Sequence, residues 1–150
     1  PMEIFTNRDG EVILKKYSPI GEIDAFAKQY ADSLAAVSGC YVVISDRDQV
    51  IAVSGGVKKE YIGRRISHEL EEIMEQRRTV NTDTDNVKTI TIIDGQDVSD
   101  MGQIIFPIIC EGDVIGSVVL MSKTEKQQVS DTEKKLVSVA ADFLGRQMES

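Results

Sequence analysis

His68 is the chain's one histidine, and no second histidine or cysteine cluster accompanies it. A structural zinc site needs four nitrogen or sulfur ligands at regular spacing. No Ser-His-Asp arrangement for acyl transfer can be read either. His68 follows Ser67, a helix-capping type, and precedes Glu69, so it reads as a surface or cap residue. Asp83, Asp85, Asp94, Asp97 and Asp100 gather in polar stretches. A calcium loop needs dense, fixed spacing closed by a glutamate; these lack it and read as solvated loop acids. Cys40 and Cys110 sit in apolar surroundings. Thiol chemistry needs an exposed, low-pKa thiolate and a resolving partner. Both therefore read as reduced core thiols, and a thiol enzyme ranks third among the functions considered. Gly55-Gly56 follows a strand-like run and precedes a short helical one. Such a pair either turns the chain or brings backbone N–H groups toward a ligand. No catalytic residue, metal or cofactor is expected.

The elements that must position these residues centre on Gly102–Ser122, GQIIFPIICEGDVIGSVVLMS. Ile104, Ile105, Ile108 and Ile109 precede Glu111-Gly112-Asp113, and Val114, Ile115, Val118 and Val119 follow it. β-branched runs favour strands, and the glycine supplies the positive φ of a tight turn. Each arm is nearly continuous in apolar residues, which fits strands covered on both faces. Pro107 marks a bulge or bend, and Gly116 a close backbone approach.

Toward the N-terminus, Met2–Thr6 and Glu11–Lys16 flank Asp9-Gly10, a hairpin signal. Ser18-Pro19 opens a helix that runs to about Ser38, with Gly39 suited to its end. Its apolar positions Ile20, Ile23, Ala27, Tyr30, Leu34 and Val37 are spaced 3, 4, 3, 4, 3. That stripe either lies on the chain's own sheet or forms a bundle with a second subunit. Tyr41–Ser45 and Gln49–Ser54 form a second hairpin. A short helix is expected over Val57–Arg65 and another, capped by Ser67, over Glu69–Arg78. Thr79–Asn86 reads as a loop, Val87–Ile93 as a strand. Ser130 and Glu133 form a capping box for a last helix carrying Leu136, Ala140, Phe143 and Leu144. The order implies an α+β architecture, a mostly antiparallel central sheet with the terminal helices packed on one face.

With 41% hydrophobic residues and no tryptophan, the chain can bury an aliphatic core. The net charge of −8 argues against holding a phosphate backbone by itself. No apolar run approaches the ~20 residues of a membrane span. No signal peptide is read and the thiols look reduced, so a cytoplasmic setting is expected. The chain opens on Pro1 and is expected to be a piece of something longer.

The closing hairpin, a Pro-Ile pair and then Val114-Ile115-Gly116-Ser117-Val118-Val119-Leu120, resembles that of GAF domains, and the element order agrees. Glu3-Ile4-Phe5 and Arg8-Asp9-Gly10-Glu11-Val12-Ile13-Leu14-Lys15-Lys16-Tyr17 resemble the end of an AbrB-type swapped-hairpin DNA-binding domain. Together with Tyr17-Ser18-Pro19 and the Phe143–Glu149 ending, the whole chain resembles sporulation regulators of endospore-forming bacteria, in which an AbrB-type domain precedes a GAF domain. The resemblance implies that residues 1–17 close an incomplete DNA-binding domain and that 18–150 form a GAF-like, PAS-related sensor and oligomerisation domain. The DNA-contacting arginines of that family lie in a preceding half. DNA is then a partner of the full-length protein and not of this piece. Binding of a small molecule between sheet and short helices would involve Val53, Ser54, Gly55, Tyr61, Ile66, Phe106 and Ile108, unless these residues simply fill a core. The cyclic-nucleotide signature of some GAF domains is absent. A homodimer or homotetramer would form through Ile20, Ile23, Ala27, Tyr30, Leu34, Leu136, Ala140 and Phe143. The competing function is an assembly module with a vestigial pocket and no ligand.

Overall fold

A computed structural model describes residues 2–6, 12–16, 24–96, 101–124 and 129–148. In chain order the elements are β1 (Met2–Thr6), β2 (Val12–Lys16), α1 (Asp24–Ser38), β3 (Tyr41–Asp46) and β4 (Val50–Ser54). A 3-10 turn (Lys59–Tyr61) and α2 (His68–Glu75) follow, then β5 (Val80–Asn81) and α3 (Thr82–Asp85). The chain finishes with β6 (Gln103–Cys110), β7 (Asp113–Met121) and α4 (Asp131–Gln147). β1 and β2 pair antiparallel, Met2 opposite Lys16 and Thr6 opposite Val12. The expected start of α1 at Ser18-Pro19 lies outside the described residues.

The two β-branched runs pair with each other, as their composition requires. Glu111 (φ 50°) and Gly112 (φ 87°) make the two-residue turn between β6 and β7. Two left-handed residues match the right-handed twist of the flanking strands. The register shifts between Ile108 and Ile109, a bulge beside Pro107. β5 pairs only with Ile104 and Ile105, so Pro107 lies past its end, where a missing N–H is tolerated. The sheet order is β4-β3-β7-β6-β5, antiparallel throughout. Gly116 meets β3 closely: a Cβ there would stand 2.1 Å from the Ser45 carbonyl oxygen.

Strand alternation sends the apolar side chains to two separate cores. Val42, Ile44, Ile104, Val118 and Leu120 pack under α1 and α4, against Ala27, Ala31, Val137 and Leu144. Val43, Val53, Ile105, Val119 and Met121 face the other way, against Leu70, Ile73 and Met74 of α2 and against Ile92 and Ile93. Both faces are covered, which is why the central strands are continuously apolar.

Four local expectations are corrected. Val87–Ile93 is not a strand. Its backbone is held by side chains: the Gln103 amide oxygen accepts from Ile90 N (3.0 Å) and its nitrogen donates to Ile90 O (3.0 Å). The Ser67 hydroxyl donates to Thr91 O (2.6 Å). Thr79–Asn86, read as a loop, contains β5 and α3. The Val57–Arg65 helix is only the 3-10 turn. Ser67 does cap α2, accepting from Leu70 N at 3.1 Å, but the helix stops at Glu75 and leaves Arg77 at φ 54° beyond its end.

Candidate functional site

The chain leaves β4 at Ser54 and turns through Gly55 and Gly56. Gly55 has φ +82°, and a Cβ there would lie 2.2 Å from the Cys40 carbonyl oxygen. Only glycine fits so close to the start of β3. The turn sets Gly56 beside the Tyr41 ring and carries the chain into the 3-10 turn bearing Tyr61. A cavity of about 250 Å³ results on the second face of the sheet, lined by Tyr41, Gly56, Val57, Lys58, Tyr61, Gln96, Met101 and Met121. Tyr41 and Met121 are register partners at the ends of β3 and β7. Gln96 is tied down by its own loop, its amide oxygen accepting from Ile92 N at 3.4 Å. Two cations lie over the aromatic walls. Lys123 Nζ is 5.5 Å from the Tyr41 ring centre and Arg64 Cζ is 5.6 Å from that of Tyr61. Both are within cation–π range.

A second cavity, of about 570 Å³, lies by α2 and the hairpin turns. Its walls are Arg47, Asp48, Glu71, Met74, Glu75, Arg77, Asp113 and Val114. It is charged with both signs and holds little apolar surface.

The expected ligand residues do not converge. Tyr61 lines the smaller cavity. Val53 and Ile66 are buried in the core on the same face. Phe106 and Ile108 pack on the opposite, helix-covered face. Ser54 turns toward α1, its hydroxyl donating to Asp32 at 2.8 Å. Gly55 acts through its backbone contact with Cys40. Alternation explains the split, because Phe106 pairs with Val118 and Ile105 with Val119. Tyr41 and Met121 are not among the residues expected from sequence, yet they stand two residues from Val43 and Val119 on the same face. Lys58, Gln96 and Met101 arrive on loops, where no period announces them.

The expected helix stripe divides as well. Ala27, Leu34 and Ala140 are buried in the chain's own core. Tyr30, Leu136 and Phe143 are half-buried against it. The Tyr30 ring stacks on Phe143 with centres 4.5 Å apart, and Phe26 meets Phe143 edge-on at 6.5 Å. Ile20 and Ile23 lie outside the described residues. Phe26 (44% exposed), Val37 (72%) and Val139 (63%) leave apolar side chains in solvent on these two helices.

His68 is exposed on the first turn of α2, 3.3 Å from Glu72. Cys40 and Cys110 are both buried. Ser130 N donates to the Glu133 carboxylate at 3.2 Å, and the Ser130 hydroxyl meets the same carboxylate. These bonds, the hydroxyl's foremost, hold Glu133 below its ordinary pKa.

A family described as "Stage V sporulation protein T C-terminal, transcription factor" matches residues 22–149. Stage V sporulation protein T of Bacillus subtilis (strain 168) is 49% identical over 149 residues, 99% of this chain and 82% of that protein. Among solved structures, the GAF domain of an Acinetobacter phosphoenolpyruvate-protein phosphotransferase superposes with a TM-score of 0.63. It is 14% identical, with 89% of this chain and 84% of that one covered. A type II free methionine-R-sulfoxide reductase from Thermoplasma acidophilum gives 0.62 at 15% identity, covering 87% and 94%. The fold is therefore that of GAF domains, as the hairpin and element order suggest.

Proposed function

The chain belongs to the stage V sporulation protein T C-terminal family of transcription factors, and from that premise we propose that residues 18–150 are its regulatory part. They sense a small molecule, hold the protein together as a homo-oligomer, and couple both to DNA binding. The cavity between Tyr41 and Tyr61 carries this reading. It combines apolar walls with a few polar groups, the usual make-up of a small-molecule site. β1 and β2, with residues 1–17 around them, are the closing part of an AbrB-type domain, and DNA contact belongs to the rest of that domain. The setting is cytoplasmic. No helix among the described residues is long and apolar enough to cross a membrane.

The domain is not an enzyme in this reading. The reductase-like fold does not extend to its chemistry, because a reactive cysteine must be accessible as thiolate. Cys40 and Cys110 are buried at the two ends of the sheet instead. Changing both to serine leaves ligand response and assembly intact.

Melting scans against metabolite sets test the sensor. A ligand at about 100 times its dissociation constant adds ~2.7 kcal/mol, and Met121→Trp, which fills the cavity, removes the gain. One observation favours the alternative of a vestigial pocket in an assembly module: at about 250 Å³ the cavity falls below the usual 300–1,000 Å³. Absence of any shift across the sets selects that alternative.

A further inference from the structure

We infer that the cavity between Tyr41 and Tyr61 takes a small organic monoanion, a carboxylate with an apolar or aromatic body. The inference rests on the reading that this cavity is the sensory site, and it adds the class of ligand. Size comes first. About 250 Å³ equals roughly eight waters at ~30 Å³ each. That suits a body of about ten non-hydrogen atoms. The walls set the body's chemistry. Tyr41, Tyr61, Val57, Met101 and Met121 are aromatic, aliphatic or thioether surfaces, and methionine adapts to irregular shapes.

Charge sets the head group. Acids outnumber bases 25 to 17 in the chain, yet no carboxylate is among the described residues lining this cavity. Lys58 is, and Lys123 and Arg64 sit over its two aromatic walls. The charged cavity beside α2 is the contrast, with Asp48, Glu71, Glu75 and Asp113 against Arg47 and Arg77. Lys58 pairs with Glu60 only at 3.9 Å, with both side chains about 70% exposed. Such a pair is worth little in water and yields readily to a better anion. The Gln96 amide nitrogen, with no partner among the described residues, adds a donor.

Methyl NMR signals of the methionines read this site directly. Phenylacetate, phenylacetamide and phenethylamine share one body and differ in charge. Phenylacetate is expected to move the Met101 and Met121 methyls saturably and at least about tenfold more tightly than the amide, the margin of one charge-assisted contact. The amine does not bind. Met74, in the charged cavity, stays still. Lys58→Gln with Lys123→Gln brings phenylacetate to the affinity of the amide and leaves the amide unchanged. Salt weakens the acid alone. Equal binding of acid and amide, or tighter binding of the amine, overturns the anion class and leaves the sensory reading standing. No movement of either methyl with any of the three at millimolar concentration overturns both.

Discussion

Gly116 is fixed by a carbonyl rather than by a turn. A Cβ at 2.1 Å from Ser45 O has to push two hydrogen-bonded strands apart. Gly116→Ala is expected to cost about 1–3 kcal/mol in urea unfolding, the usual penalty of overpacking. An unchanged midpoint would mean that β3 and β7 can slide. Sequence makes this glycine visible, since it interrupts a β-branched run, although the partner carbonyl can only come from the fold. Glu133 gives the other residue-scale test. Its carboxyl titrates below the ordinary 4.5 in the folded chain because the Ser130 hydroxyl and N–H bind the charged form. A depressed acid pKa contributes stability that is present above the unfolded value and lost as pH falls through the folded one. Wild type and Glu133→Gln are therefore expected to differ at neutral pH and to converge on the acid side of pH 4.5. Parallel melting curves across that range would show that the box contributes nothing.

Gln103 sets the limit of reading elements from pattern. Val87–Ile93 has the composition of a strand, but a strand needs a neighbouring backbone, and β6 already uses its free side at Ile104 and Ile105 for β5. One buried amide, at Gln103, supplies the missing donor and acceptor to Ile90. Nothing in the local sequence announces a side chain that pairs with a backbone 13 residues away. Elements whose causes are local came through well: the β6–β7 hairpin, the Ser67 cap, the Ser130–Glu133 box and the end of α1 at Gly39. Those made by long-range contacts did not, namely β5, α3 and the 87–93 stretch. The expected ligand residues divide for a related reason: Phe106 and Ile108 have the apolar type of a pocket wall, but alternation turns them to the face under α1 and α4. Gln103→Leu keeps the volume and leaves Ile90 N–H and C=O without partners. Each unpaired buried group costs about 1–3 kcal/mol; Ile90 is only half-buried, so the lower part of the two-group range, roughly 2–4 kcal/mol, is expected, with faster hydrogen exchange at Ile90. A small loss with unchanged exchange would assign the hold on this segment instead to Ser67 and to the Thr89 hydroxyl, which donates to Met101 O.

At the scale of the whole molecule, one sheet separates two cores. The cavity opens on the α2 side, while Phe26, Val37 and Val139 are exposed on α1 and α4 behind the sheet. A ligand can influence assembly only by binding one arrangement of these layers better than another. A physical link crosses between them. Thr82 accepts from Gln103 N at 2.9 Å, and the Asp83 carboxylate accepts from Val129 N at 2.8 Å, just before α4. The same layering decides how oligomerisation must be tested. Leu34 has the seam spacing of an interface residue, but it is 6% exposed within the single chain. A charge there unfolds the domain and says nothing about partners. Phe26 and Val139 touch solvent on the same two helices, and changing them costs the monomer chiefly the edge-on contact of Phe26 with Phe143. Phe26→Glu with Val139→Glu is expected to lower the mass in sedimentation equilibrium while circular dichroism and melting stay close to wild type. Leu34→Glu is expected to abolish the cooperative melt altogether. A double mutant that keeps both its fold and its parental mass would place any assembly surface away from α1 and α4, and the exposed side chains of these helices would need a different partner.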